Sequence, residues 1–309
     1  MKTAILSALL TMAAPTVTLH PAQLDRGPDV SGPHVEGRVL VDGSTRISFR
    51  DPVVTLLGTS RDHRYVVHLM TRAGNRERVI AVGGGAPRRV LLRGVQPAEA
   101  ILSDDGRDLL AARWRPGTGT TTVRVLSART GRPVAHRQLR GAVSLLDADA
   151  SRVVLGGWRP ARTLVWNYRS GSARLVNHHS GYLASLAAGR LASYTGDPYD
   201  GGCSVLTTLG GQQLSRSCSE RVVAISPSGR RVATVGLLSD GPGSSATSVR
   251  RASGRLLVTY RAPYVFGTIS WQDDRTLLLD TLTTRRATVV RCVLDTCERA
   301  SASRPSPIN

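Results

Sequence analysis

Two interleaved series of turns run through the chain and restrict its fold more than any other feature. The first comprises SRDHR near Asp62, DDGR near Asp105, DADAS near Ala150, AAGR near Gly189, SPSGR near Ser228 and DDR near Asp274. The second follows it step by step: GGGAP near Gly84, RTGR near Gly131, RSGS near Gly171, LGGQ near Gly210, ASGR near Gly254 and LDTC near Thr296. Both repeat every 40 to 46 residues or so. Runs rich in Val, Leu, Thr and Ile lie between the turns, as in VVAISPSGRRVATVG, and read as strands. No window carries a helical period of useful length. Gly accepts positive φ and Asp bonds its own backbone, so these turns suit tight hairpins.

A period of this length is that of a four-stranded propeller blade. The expectation is an all-β chain, a β-propeller of about six four-stranded blades from Val53 to Ala300. One such sheet cannot bury both faces alone; radial packing covers each sheet with its neighbours. Upstream, GRVLVDGSTRISF (Gly37 to Phe49) reads as a hairpin turning at Asp42-Gly43. It closes the ring as an N-terminal strand or hairpin against the last sheet, or it is half of a seventh blade. Two units share Trp-Arg-Pro after their second strand, at Trp114–Pro116 and Trp158–Pro160. Trp114, Trp158, Trp166 and Trp271 are expected to pack between sheets; a stacking platform for sugar or quinone is their other use.

The N-terminus reads as an export signal over residues 1–22. Lys2 precedes an apolar stretch from Ala4 to Ala14, with small residues after it. Cleavage is expected after Ala13 or Ala22. Residues 23–36 then form a linker, 37–300 the propeller and 301–309 a disordered tail. No later segment approaches the ~18 apolar residues of a transmembrane helix. Four cysteines fall in two local pairs, Cys203 with Cys218 and Cys292 with Cys297. Each pair can face across a hairpin, and neither has the C-x-x-C spacing of a zinc site. Two disulfides are therefore expected, in keeping with a secreted or extracytoplasmic protein.

The AISPSGRRVAT segment resembles the "SPDG" hairpin of WD-repeat-like and TolB-like propellers, with Ser228 where Asp is usual. The wider layout is similar to secreted, uncharacterised propellers of high-GC actinobacteria: leader, DGST hairpin, TG-type turns, and a late hairpin here spanning Cys292 to Cys297. That resemblance implies compartment and fold, and no activity. The Trp-Asp that usually ends a WD blade is missing, and only about thirty residues lie between the leader and the first full blade, too few for the N-terminal domain of TolB.

Lys+Arg total 41 against 22 Asp+Glu, a net charge of +19, and Lys2 is the sole lysine. The arginines are scattered singly and in pairs with no basic tail, so no specific nucleic-acid site is expected. Candidate chemistry is sparse. Asp104-Asp105 and Asp273-Asp274 sit in first-series turns, where Asp serves geometry. Asp197 and Asp200, in TGDPYDGGC, are the only metal candidates, and two carboxylates fall short of a calcium shell. His178-His179 have no third ligand at a recognisable spacing. No G-x-S-x-G elbow is present. No catalytic residue and no cofactor is assigned. The expected function is a monomeric, non-enzymatic binding or scaffold protein for a protein or cell-envelope partner. The rivals are a hydrolase or lyase with a metal in the central channel, and a basic adhesin for cell-wall polyanions.

Overall fold

The computed structural model describes residues 14–71, 73, 77–94, 96, 99–239 and 243–306. Seven sheets follow one another along the chain. The first has three strands, His34–Glu36, Val39–Asp42 and Thr45–Ser48. The next six each have four strands in chain order, A to D. Their A strands are Val53–Thr59, Ala100–Leu102, Val143–Ala148, Ser180–Ser185, Glu220–Ile225 and Val265–Trp271. The DGST hairpin is thus a blade of its own, completed by His34–Glu36, and the ring is the seven-bladed alternative.

Neighbouring strands in each blade are antiparallel. Chain direction alone then sorts the loops: A–B and C–D turns fall on one face of the ring, B–C loops and D–A connections on the other. The hydrophobic cores lie between sheets. Leu110, Val123 and Val125 of blade 3 cluster with Val143, Val153, Leu155 and Trp166 of blade 4. Radial packing of alternating side chains accounts for this, because each sheet's two faces are buried by different neighbours.

The A–B turns lock successive blades together. Arg61 N donates to Gly106 O at 3.0 Å, and Asp104 N to Ala148 O at 2.9 Å. Leu186 N donates to Asp147 Oδ2 at 2.6 Å, Arg190 Nε to Gly229 O at 3.1 Å, and Ser228 N to Asp274 Oδ1 at 2.7 Å. These bonds join blades 2 through 7 in sequence. The acidic residues of the first turn series therefore hold turns and join blades. Asp105 accepts from Ser103 Oγ and Arg107 N, and Asp273 from the backbone of Arg275 and Thr276.

The N-terminal segment upstream of blade 1 straps the last two blades. Thr16–Thr18 adds a parallel strand outside Leu256–Arg261, the D strand of blade 6. Arg26 then bridges Arg299 in parallel, on the D strand of blade 7. An N-terminal strand or hairpin closing against the last sheet was the expectation; the strand that forms, Thr16–Thr18, lies on blade 6 instead, and the last blade receives the single bridge from Arg26. At the other end, Arg304–Pro305 pairs with Arg286 and Ala287.

Candidate binding face

The B strand of blade 3, Asp108–Arg115, is buried from Asp108 to Ala112 and exposed over its last three residues. Its inner neighbour pairs only with Leu109–Ala111. Its outer neighbour continues to Thr120 and is itself paired out to Arg140, so a three-stranded ribbon extends beyond the short inner strand. That ribbon lifts Trp114 out of the core, at 37% exposure. In blade 4 the B strand stops at Gly157, and Trp158 stands in the B–C loop at 41%. Tyr199 in the B–C loop of blade 5 and Leu238 in that of blade 6 are exposed at 68% and 50%. Tyr264, exposed on the connection from blade 6 to blade 7, joins them on the same face.

Four consecutive blades thus each present a large apolar side chain on the B–C face. The Trp-Arg-Pro repeat foreshadowed the first two positions, but the reading that all tryptophans pack between sheets holds only for the interior ones. Trp166, 3% exposed, is in the core, and Trp271 is half-buried against the core of blades 6 and 7.

The loops under these side chains are knit together. Trp158 N donates to Ala142 O at 3.0 Å and Gly141 N to Gly119 O at 2.9 Å. Thr163 Oγ1 donates to His179 O at 2.9 Å, so the His178-His179 connection is tied to blade 4. Between blades 5 and 6 the face holds an open cavity of about 460 Å³, bordered by Pro198, Gly202, Cys218, Leu237 and Leu238. Val222 N donates to the Tyr182 hydroxyl at 3.0 Å across the same two blades. Burial pushes the Tyr182 phenol well up, so its O–H remains protonated.

Asp197 caps the short helix Pro198–Asp200 by accepting from Tyr199 N at 3.0 Å. Its role there is to shape the loop that presents Tyr199. The Cys203 and Cys218 sulfurs lie 2.06 Å apart, and those of Cys292 and Cys297 2.09 Å apart, both disulfides. Among the described residues no three His, Cys, Asp or Glu side chains gather as metal ligands, and no helix is long and apolar enough to cross a membrane.

The opposite face carries a groove of about 490 Å³ lined by Arg61, Arg107, Arg129 and Arg169, with Asp62 and Asp108. Asp108 is buried and accepts from the Arg169 guanidinium and the Tyr168 hydroxyl. Nearby, partial burial and the carboxylates of Asp147, Asp149 and Asp105 push Asp104 up to about 6 from 3.8. The folded state therefore favours the protonated acid. Its stabilisation is complete below the unfolded value and is lost as pH rises through about 6. Asp104→Asn should thus match the wild type near pH 3.5. It should be more stable by about 1 kcal/mol at pH 7.5, a figure reduced for solvent screening of an exposed group. Urea midpoints at the two pH values measure this.

No protein-family model matches the sequence, and no curated protein matches it. Solved structures do. A mitotic checkpoint complex chain is similar at 13% identity and TM-score 0.57, covering 96% of this chain and 89% of that one. An uncharacterized Listeria monocytogenes EGD-e protein gives 12% and 0.52, over 82% and 84%. The β-propeller domain of the Trilobed protease from Pyrococcus furiosus, which has an open velcro topology, gives 10% and 0.51, over 90% and 84%. The chain is a seven-bladed β-propeller, sharing its architecture with these proteins at identities that speak for the fold alone.

Proposed function

We propose that this propeller is an extracytoplasmic, non-enzymatic binding module that docks an acidic protein segment on its B–C face. The observation that carries the reading is the run of exposed Trp114, Trp158, Tyr199 and Leu238 on four successive blades. Aromatic anchors of this kind dominate protein interfaces. Arg115 and Arg159 follow the two tryptophans directly, and the net charge of +19 favours an acidic partner. The two disulfides and the apolar N-terminal stretch support location outside the cytoplasm.

A displayed random-peptide library selected on the full protein tests this. Enriched peptides should combine Asp or Glu with apolar residues. They should bind a Trp114→Ala/Trp158→Ala variant about 30-fold more weakly, as loss of a hot spot does. Both side chains are only partly covered, at 37% and 41% exposure, so the melting temperature should fall by a few degrees at most and the variant should stay folded at the binding temperature. Peptides indifferent to that change would overturn the reading.

The arginine-lined groove favours a second reading, a site for polyanions on the opposite face. Binding abolished by Arg61→Ala/Arg129→Ala and by high salt, and untouched by the tryptophan changes, would select it. Arginines also stand on the outer strands, as at Arg88, Arg89, Arg137 and Arg174, so charge is not massed on that face.

A further inference from the structure

We propose that the Cys203–Cys218 bridge is a thiol-exchange site, at which Cys218 takes up a small carboxylate-bearing thiol and Cys203 is the sulfur released. The two disulfides stand in different surroundings. Cys203 is 3% exposed, whereas Cys218 is exposed and borders the cavity between blades 5 and 6. In the other bridge Cys292 is 0% exposed, and Cys297 packs against the core of blades 6 and 7.

A thiolate attacks a disulfide along the extension of the S–S bond, so access decides which sulfur is struck. At Cys203–Cys218 the open side belongs to Cys218. The cavity of about 460 Å³ beside it gives a small thiol room to approach. At Cys292–Cys297 the core shields both sulfurs.

The surroundings of Cys203 suit a leaving group. Arg216 Nη2 lies 3.3 Å from Cys203 Sγ. A guanidinium beside a sulfur lowers its thiol pKa, and a thiol of lower pKa departs faster. Cys203 also keeps its place once released. Its N donates to Thr195 Oγ1 at 3.0 Å, and its O accepts from Thr195 N at 3.0 Å. Cys218 instead follows the D strand Gln213–Ser217, at the start of the connection to blade 6. Arg221 Nη2 donates to the O of Ser239, a residue of the cavity border, at 3.1 Å. A second guanidinium thus stands near the cavity, and two cations favour an attacking thiol that carries carboxylates.

The exchange balances without a separate oxidant or reductant. The incoming thiolate sulfur bonds to Cys218 Sγ. The Cys203–Cys218 bond breaks, and its electron pair stays on Cys203 Sγ, which then takes a proton from water. One disulfide is replaced by another.

The test exposes the folded full chain to glutathione, quenches with acid at short times and maps the peptides by mass. The expected result is a glutathione adduct on Cys218, a free thiol at Cys203 and an intact Cys292–Cys297 bridge. The first bridge should open at least about 10-fold faster than the second. Arg216→Gln should slow that opening about 3-fold, from one pKa unit of the leaving thiol at a slope near 0.5, and leave the rate at Cys292–Cys297 unchanged. Cysteamine, a cationic thiol, should react more slowly than glutathione at equal thiolate concentration. An adduct on Cys203, opening with no adduct on Cys218, equal opening of both bridges, or a rate indifferent to Arg216 would each overturn the proposal. Cysteamine as fast as glutathione would overturn the choice of a carboxylate-bearing thiol. As a second measurement, Cys203→Ala and Cys218→Ala chains are treated with glutathione disulfide. Both lack the bridge, so a difference between them reports on the two sites. The first should accumulate the adduct on Cys218 at least about 10-fold faster than the second does on Cys203. Equal rates would overturn the assignment of Cys218 as the site of attack.

Discussion

Replacing Gly141 with alanine should destabilise the propeller by about 3 kcal/mol or more, among the largest effects of any single methyl group in the chain. Gly141 lies on the connection from blade 3 to blade 4 with φ of 89°. An added Cβ there would stand 2.0 Å from the Arg159 carbonyl oxygen and 2.8 Å from its carbon. Both atoms are backbone, so relief requires moving the Trp-Arg-Pro turn itself. The same residue donates to Gly119 O, and its carbonyl accepts from Thr121 Oγ1 at 2.7 Å. Displacement therefore spreads to the ribbon that raises Trp114. Gly171→Ala is the control. Its φ is 78°, and nothing lies within 4 Å of an added Cβ. It should cost only the left-handed backbone term, about 1 kcal/mol. Denaturant midpoints of the two variants measure the difference. Equal losses would show that the close approach to Arg159 carries no energy.

Removing the Cys203–Cys218 disulfide, by Cys203→Ala with Cys218→Ala, should cost about 3 kcal/mol; removing Cys292–Cys297 should cost about 2 kcal/mol. The bridges close segments of 15 and 5 residues, and loop-closure entropy grows with the logarithm of that length. The first bridge also anchors the loop that presents Tyr199 and borders the cavity between blades 5 and 6. Its loss should therefore speed amide exchange across residues 195–203 as well as lower the denaturant midpoint. The second bridge joins directly paired residues at the tight turn of blade 7, so loosening should stay within that hairpin. If the second removal proved the more costly, native-state packing rather than loop entropy would govern both.

How much of this was legible follows from the range of each interaction. A hairpin is encoded within about ten residues, because turn geometry and flanking alternation are local. Hence Asp104-Asp105-Gly106 and Pro227-Ser228-Gly229 marked their strand pairs correctly. Cys292 and Cys297 were paired on the same basis, being cross-strand neighbours in one hairpin. The candidate face was half legible. Trp-Arg-Pro identified two equivalent loops, but whether a tryptophan there is covered depends on the neighbouring sheet. In blade 3 the inner strand is only three residues long and ends short of Trp114, which stays 37% exposed. Tyr199 and Leu238 have no shared motif, and only their common loop position unites them.

The all-β class, the blade period, the hairpin turns and the local cysteine pairs are each set by the preferences of residues near one another in the chain, and so could be read from it directly. Tertiary structure alone decided the seventh blade, the strap of residues 14–30 and the apolar run on the B–C face. His34–Glu36 carries no strand signature beyond its neighbours, and it is a strand because Val39–Asp42 offers it an edge. Thr16 pairs with Thr259 and Arg26 with Arg299 because blades 6 and 7 leave their outer edges open. Pairings across some 240 to 270 residues leave no local periodicity to read; they are decided by which edges and side chains the assembled ring leaves uncovered.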